Sequence, residues 1–249
     1  MLRPNRVHIV DFMTHETPAR TLSMPRRSLS RPVPWPALLA AVAVPAALAL
    51  ATYPVRERLF TAVAGFAEGS ALASAVASVA DFGLLALVAT AGVLAVWCWL
   101  RARRRFWLLA LAGLGVITAY GLSEAVKLLV EQPRPCSVVD TVTVLNCPGG
   151  GDWSWPSNHA VLAAAFTTAC ILVVPRLAWL AVPLALAIAA SRVAGGVHYV
   201  HDVLSGLALG ALVVAAVVAV AWPVLDRRLT GGRDDGHPDS ASRSQGGRA

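Results

Sequence analysis

The chain has 249 residues, of which 57% are hydrophobic and 14% are charged, and its formal net charge is +7. Its mean hydropathy of +0.63 sets it apart from soluble domains, which are roughly 45–50% apolar and 25% charged. The composition therefore excludes an ordinary soluble domain and indicates a membrane protein. The positive charge lies in the tails and in short loops beside apolar runs, a distribution typical of membrane orientation signals rather than of nucleic-acid binding.

The N-terminal third begins with a polar segment. Residues 1–34 contain six arginines against two acidic residues and show no sustained apolar pattern, so we predict a disordered basic tail. The apolar run 35–53 is long enough to span a bilayer and predicts an uncleaved first transmembrane helix. Residues 54–81 mix charged and apolar side chains, which favours an amphipathic helix lying at the membrane interface.

Five further apolar runs follow, and each is close to the ~20 residues that cross the hydrocarbon core. The sequence therefore predicts an all-α fold, a bundle of six transmembrane helices that forms one domain over residues 35–228. A polar C-terminal tail, residues 229–249, is predicted to be disordered. The five runs are 82–100, 106–130, 159–175, 177–197 and 202–225.

The basic loops predict the orientation of this bundle. If the spans alternate, the N-terminal tail, residues 101–105, Arg176 and residues 227–228 all fall on one side. An excess of Lys and Arg marks the cytoplasmic side. The opposite ends of the helices, and the motifs below, are then predicted to face the extracytoplasmic side of a multi-pass cell-membrane protein.

Three polar motifs emerge at those opposite ends. The first is KLLVEQPRP, which contains Lys127 and Arg134. The second is WPSNH, which ends at His159, and the third is SRVAGGVHYVHD, residues 191–202. Charged side chains close to a bilayer are costly unless they pair or serve a function, so their collection at helix ends indicates a site.

The residue types of the motifs suit phosphoryl chemistry. Lys127, Arg134 and Arg192 supply three cations, and arginine can bind phosphate oxygens bidentately. His198 and Asp202 are four residues apart, so on a helix they share a face. A carboxylate that accepts from one ring nitrogen fixes the tautomer and leaves the other nitrogen free to attack phosphorus.

Together the motifs resemble the signature of the type 2 phosphatidic acid phosphatase superfamily, K-x6-RP, PSGH and SR-x5-H-x3-D, which also contains vanadium haloperoxidases. The resemblance implies a membrane phosphatase for lipid phosphates such as phosphatidic acid, phosphatidylglycerol phosphate or polyprenyl phosphates and diphosphates. It further implies that His198 is a nucleophile that forms a phosphohistidine, with Asp202 as its orienting partner. His159 is then the general acid and base, and the phosphate ligands are Lys127, Arg134, Ser157, Asn158 and Arg192.

Asn158 is the departure from this signature, because the family most often has glycine there. Glycine allows close backbone approach and positive φ, and asparagine tolerates positive φ better than most residues. We therefore expect the loop to keep its shape, with the backbone amide of Asn158 facing the phosphate and with some change in the pocket.

The histidines and cysteines raise two further questions. His159, His198, His201 and Asp202 include metal-ligating types, but three converging cations would repel a metal ion, so we predict neither a metal nor a cofactor. Cys136 and Cys147 flank one polar loop, and an oxidising compartment would permit a disulfide between them. Cys98 and Cys170 lie in apolar runs and are expected to be buried.

Other functions remain open at this stage. The phosphohistidine could pass its group to an acceptor other than water, which would make the protein a lipid phosphotransferase. A catalytically silent lipid-binding or transport protein could retain the same anion site, although no motif histidine or aspartate is missing. The expected partners are a lipid phosphate and the membrane, with no nucleic acid, and the sequence does not indicate an oligomeric state.

Overall fold

The computed structural model describes residues 35–231, which fold into α-helices joined by turns and one long loop. The predicted N-terminal tail and residues 232–249 of the predicted C-terminal tail lie outside this range, which contains no β-strand. The helices are α1 (Trp35–Thr52), α2 (Arg56–Glu68), α3 (Ala73–Arg101), α4 (Arg103–Val130), α5 (Pro135–Val138), α6 (Asn158–Val173), α7 (Ala178–Ala194) and α8 (Val200–Gly231).

Five helical segments of residues 35–231 are long and apolar enough to cross a membrane. They are Trp35–Glu68, Ala73–Arg101, Arg103–Val138, Pro175–Ala194 and Val200–Thr230. Helix α6 is also apolar but has only 16 residues, which is fewer than the ~20 that span a bilayer without help from flanking residues. The predicted all-helical fold with several membrane-spanning helices is therefore confirmed for residues 35–231.

The predicted interfacial helix over residues 54–81 is only half right. Helix α2 is amphipathic, with Phe60, Ala64 and Ala67 buried on one face. Residues 73–81, however, form the first turns of α3, so the predicted start of the second span at residue 82 is wrong. Asp81 is a single polar residue in an alanine- and valine-rich stretch, and one such residue does not interrupt a helix of good helix formers.

Helix α6 is the centre of the bundle. Ten of its 16 residues are buried, and they contact α3, α4, α7 and α8 through two shared clusters. In one cluster Val161 and Ala165 pack with Val116 of α4 and Val214 of α8. In the other, Ala160 packs with Val193 of α7 and Val203 of α8. The first turn of α6 is thereby fixed next to the end of α7 and the start of α8.

Close packing between α6 and α8 depends on glycine. A Cβ added at Gly206 would lie 2.7 Å from the backbone oxygen of Ser157, and one added at Gly210 would overlap the backbone oxygen of Val161. Gly206 and Gly210 therefore form a small-xxx-small pair that packs inside the bundle, between two helices of one chain. It sets the distance between the second and third motifs.

A disulfide joins Cys136 to Cys147, as the sequence predicted, with the two Cα atoms 5.8 Å apart. The loop that it closes packs on the turn after α7. Leu145 donates its backbone N–H to the oxygen of Gly195 at 3.0 Å, and Gly196 has a φ of +82° beside Thr143. The glycine pair is needed here for a left-handed turn and for close approach of the loop.

Replacing Gly210 with alanine should lower the midpoint of thermal unfolding in detergent, because the added methyl forces α6 away from α8. Overpacking of this kind costs about 1–3 kcal/mol. The matched control is Gly92→Ala on α3, where an added Cβ meets nothing within 4 Å, and which should match or slightly exceed the wild type. Equal melting of the two variants would show that the contact is not tight.

Candidate active site

Two of the predicted residues, Arg134 and His198, meet through one guanidinium group. The Nη1 atom of Arg134 donates to the backbone oxygen of Val197 at 3.0 Å and lies 2.9 Å from Nε2 of His198. Because a guanidinium only donates, Nε2 of His198 is the acceptor, and its proton is on Nδ1. Arg134 is held for this role by Pro135, since a residue before proline adopts extended backbone, here with ψ of 146°.

The other ring nitrogen of His198 faces Asp202. Nδ1 lies 3.5 Å from Oδ2 of Asp202, at the outer limit of hydrogen bonding. Ser154 bridges the gap: its hydroxyl lies 3.3 Å from Nδ1 and donates to Oδ2 at 2.5 Å. The predicted histidine–aspartate pair is therefore present, with a serine hydroxyl between its members.

Asp202 is fully buried and receives several donors. Gln132 donates to Oδ1 at 2.9 Å, and Nε2 of His201 lies 3.1 Å from the same oxygen. The backbone N–H of Tyr199 donates to Oδ2 at 2.8 Å. This last bond is one half of a capping box at the start of α8. One carboxylate thus caps the helix and orients His198.

Backbone hydrogen bonds within the third motif form a turn between Arg192 and His198. The oxygen of Arg192 accepts from the N–H groups of Val197 and His198, each at 3.2 Å. The side chain of Arg192 leaves its Nε without a hydrogen-bond partner among residues 35–231, and so does the hydroxyl of buried Ser157. Buried polar atoms in proteins are nearly always paired, so these two are available to a ligand.

The second motif begins α6. Ser157 precedes the helix and donates its backbone N–H to the oxygen of Asp202 at 3.2 Å, which ties this motif to the third. His159 lies in the first turn of α6, half-buried, beside the cluster of Ala160, Val193 and Val203. The structure places it at the same end of the bundle as His198, with no side-chain hydrogen bond to the described residues.

Asn158 does not need the conformation that glycine allows. It is the first residue of α6, and Glu131, at the end of α4, is the non-glycine residue with positive φ within the described range. Its side chain instead bridges two helices: Ser123 of α4 donates to Oδ1 at 2.7 Å, and Nδ2 donates to Glu124. Asparagine in place of the family glycine therefore adds hydrogen bonds between α4 and α6.

Burial keeps His198 neutral. Loss of hydration lowers its pKa to about 4, the nearby Asp202 opposes this effect, and Arg134 and Arg192 add to it. At neutral pH the ring therefore carries one proton, on Nδ1, and Nε2 keeps its lone pair. A neutral imidazole with this tautomer has the form that a nucleophilic histidine requires.

Comparisons with known proteins identify the family. The profile of the PAP2 superfamily matches residues 108–225. An undecaprenyl-diphosphatase of Bacillus subtilis is 30% identical over 161 residues, which cover 64% of this chain and 78% of the relative. The chain belongs to the PAP2 superfamily. This is the type 2 phosphatidic acid phosphatase family that the motifs resemble.

Two other PAP2 proteins are similar. A decaprenylphosphoryl-5-phosphoribose phosphatase of Mycobacterium tuberculosis is 40% identical over 120 residues, 47% of this chain and 63% of the relative, so the match spans less than two thirds of that protein. The crystal structure of a transmembrane PAP2-type phosphatidylglycerolphosphate phosphatase from Bacillus subtilis aligns with a TM-score of 0.56. It has 22% identity and covers 75% of this chain and 96% of that one.

Sequence reasoning missed three residues of this PAP2 site. Gln132 and Ser154 bind Asp202, and Asp152 binds Lys127 and Arg134 with its carboxylate 3.3 Å and 2.9 Å away. Gln132 lies inside the first motif and Ser154 three residues before Ser157, so their positions were a usable signal. Asp152 gave no such signal, since its contacts are 18 and 25 residues away along the chain.

Among residues 35–231, no group of three or more His, Cys, Asp or Glu side chains is arranged to hold a metal ion. Asp202 is instead surrounded by hydrogen-bond donors, and Asp152 by two cations. Partial burial alone would raise the pKa of Asp152, but hydrogen bonds and charges from Arg134 and Lys127 outweigh it and lower that pKa. Both carboxylates are therefore ionised at neutral pH.

Asn158→Ala should lower the midpoint of thermal unfolding, because it leaves the buried hydroxyl of Ser123 without its acceptor. An unsatisfied buried polar group costs about 1–3 kcal/mol. Asn146→Ala, at an exposed position of the long loop, is the control and should melt like the wild type. A melting point that Asn158→Ala leaves unchanged would argue against the bridge between α4 and α6.

Acid should destabilise the protein through His198. Its pKa is lower in the folded than in the unfolded protein, so its contribution is full above pH 6.5 and is lost as the pH falls towards 4. The full effect is on the order of 3 kcal/mol. Melting curves between pH 7.5 and 4.5 should therefore fall more steeply for the wild type than for His198→Gln, and parallel curves would contradict the assignment.

Proposed function

We propose that this PAP2 protein is an integral membrane phosphatase that removes a terminal phosphate from a lipid phosphate or diphosphate through a phosphohistidine. The observation that carries the proposal is the anion site around His198. Lys127, Arg134 and Arg192 come together with a neutral histidine, and the Nε of Arg192 and the hydroxyl of Ser157 have no partner within residues 35–231. A phosphoryl group would satisfy all of these groups at once.

The lipid nature of the substrate is supported by a cavity of about 580 Å³ between α1, α4 and α8. Its walls are mainly apolar, and include Val42, Leu50 and Leu212. Gln132 and His201, both partners of Asp202, line it as well. An apolar chain in this cavity would lie next to the residues that hold the catalytic pair.

The relatives support a polyprenyl chain in particular. By its name, the mycobacterial relative acts on a decaprenylphosphoryl-5-phosphoribose. The Bacillus relative that is 30% identical is named as an undecaprenyl-diphosphatase. We therefore propose a polyprenyl phosphate or diphosphate as the preferred substrate class, ahead of phosphatidic acid and phosphatidylglycerol phosphate.

The reaction would proceed in two displacements. Nε2 of His198 attacks phosphorus, the bond to the leaving oxygen breaks, and His159 protonates that oxygen. His159 then removes a proton from water, the water oxygen attacks phosphorus, and the bond to Nε2 breaks to release phosphate. Asp202 and Ser154 hold the proton on Nδ1 and stabilise the ring in both steps. The backbone amide of Asn158 donates to the phosphate at the start of α6.

We also propose the arrangement in the membrane. With α6 as a sixth crossing, shortened because its first turn lies in the site, the domain of residues 35–228 spans the bilayer six times. The motif ends of α4, α6, α7 and α8 then face the extracytoplasmic side. Arg104 pairs with Asp226 at the opposite end, where the basic loops favour the cytoplasm.

The test is phosphate release by purified protein in detergent with chelator present, across polyprenyl diphosphate, polyprenyl phosphate, phosphatidic acid and phosphatidylglycerol phosphate. The wild type should be active, and His198→Ala should lose about 10³-fold or more, as nucleophile removal does in other enzymes. Melting curves of the variant check that it folds. Release that persists in His198→Ala would exclude the mechanism.

A trapping experiment identifies the intermediate. With substrate labelled in its terminal phosphate, alkaline quench should retain label on the wild type, and acid should remove it, as expected for a phosphohistidine. The His198→Ala variant should retain none. Label transferred to an alcohol acceptor rather than water would identify a phosphotransferase instead.

A further inference from the structure

Asp152 pairs with two of the cations that the proposed site would offer to a phosphoryl group. Its Oδ1 atom lies 2.9 Å from Nη2 of Arg134 and 3.3 Å from Nζ of Lys127, and its backbone oxygen accepts from Nε of Arg134 at 2.9 Å. Arg134 directs its remaining nitrogen, Nη1, at Val197 and His198. Two of the three cations therefore already share one carboxylate of the chain, and Arg192 is the third.

Asp152 covers the open side of these cations. The side chains of Lys127 and Arg134 are each 6% exposed, whereas that of Asp152 is 48% exposed. An anion that arrives from outside the bundle meets the carboxylate before it reaches either cation. The two bonds cannot be kept when a phosphoryl group takes the same donors.

The chain before Asp152 offers little steric resistance to a change of backbone conformation. Gly149, Gly150 and Gly151 precede it, a Cβ at any of them would meet nothing within 4 Å, and Gly151 has a φ of +90°. The chain is anchored again at Ser154, whose N–H donates to the oxygen of Gln132 at 2.8 Å. The carboxylate can thus leave without disturbing the hydroxyl that binds Asp202.

We infer that Asp152 is an internal competitor for the anion site: its single negative charge holds Lys127 and Arg134 in the free protein, and a substrate must displace it. This inference rests on the proposed phosphatase function. A terminal phosphate of a monoester or diphosphate carries up to two negative charges, so exchange for the carboxylate gains attraction to the cations. Displacement of Asp152 costs the same free energy whichever anion binds, so Asp152 lowers the affinity of every anion by one common factor. Its return helps to expel the phosphate product.

The decisive variant is Asp152→Asn, which keeps the size and one oxygen but removes the charge. Inorganic phosphate should inhibit it more strongly, with an inhibition constant about 5- to 20-fold lower, since a like-charge contact in the site is removed. The KM for lipid phosphate should fall in parallel, while kcat changes by less than about threefold. The ratio of kcat/KM for p-nitrophenyl phosphate to that for bis(p-nitrophenyl) phosphate should stay the same, because the displacement of Asp152 costs both substrates alike.

Two controls separate charge from structure. Asp140→Asn makes the same change in the same loop, at an exposed residue with no ion pair among the described residues, and should match the wild type in all constants. Asp152→Glu keeps the charge and should retain weak phosphate inhibition. If Asp152→Asn instead loses kcat with an unchanged KM, Asp152 only positions Lys127 and Arg134, and the inference is wrong. Constants equal to those of Asp140→Asn would also overturn it.

A binding measurement separates this inference from the proposed function. Inorganic phosphate that binds the folded protein raises its melting temperature in a concentration-dependent way, and no turnover is needed. Asp152→Asn should show the rise at about 5- to 20-fold lower phosphate than the wild type. If no lipid releases phosphate but this difference is found, the phosphatase proposal fails and the role of Asp152 stands. If hydrolysis is found without this difference, the phosphatase proposal stands and the inference about Asp152 is wrong.

Discussion

The buried carboxylate of Asp202 is the interaction on which the site depends. A charge removed from water is costly unless donors surround it, and here the donors come from every segment that the chemistry needs. Gln132 comes from the loop after α4 and Ser154 from the segment before α6, while Tyr199 lies just before α8 and His201 in its first turn. Satisfying this one charge brings the three motifs together, and His198 is oriented as a result.

The cations pose the opposite problem, because three positive groups at one end of an apolar bundle repel each other. Asp152 reduces this repulsion by pairing with Lys127 and Arg134. Glu124 of α4, 3.8 Å from Lys127, adds a second negative charge. Glu124 in turn receives Asn158. The substitution of asparagine for glycine therefore belongs to the same charge network, and not to the loop conformation that the family glycine would serve.

The helices and the motif spacing could be predicted from the sequence because both are local. Apolar runs near ~20 residues identify spans, and the distance from Arg192 to His198 is set by a turn of their own backbone. The start of α3 could not be predicted, because Asp81 belongs to the mixed charged and apolar stretch of the sequence but lies within the helix. The contact of Asp152 with Arg134 could not be predicted, since it depends on how a loop closed by Cys136 and Cys147 folds back.

The packing of α1 differs from that of the other long helices. Ala49 is its one buried residue, whereas α6 is buried on most of its surface. Yet α1 provides Val42, Ala46 and Leu50 to one wall of the apolar cavity. Helix α1 packs on α8, while Leu39, Val44 and Leu48 on its other faces are exposed. This wall of the cavity is therefore one helix thick, and a bulkier apolar chain would be admitted on the side of α1, away from the reacting atoms.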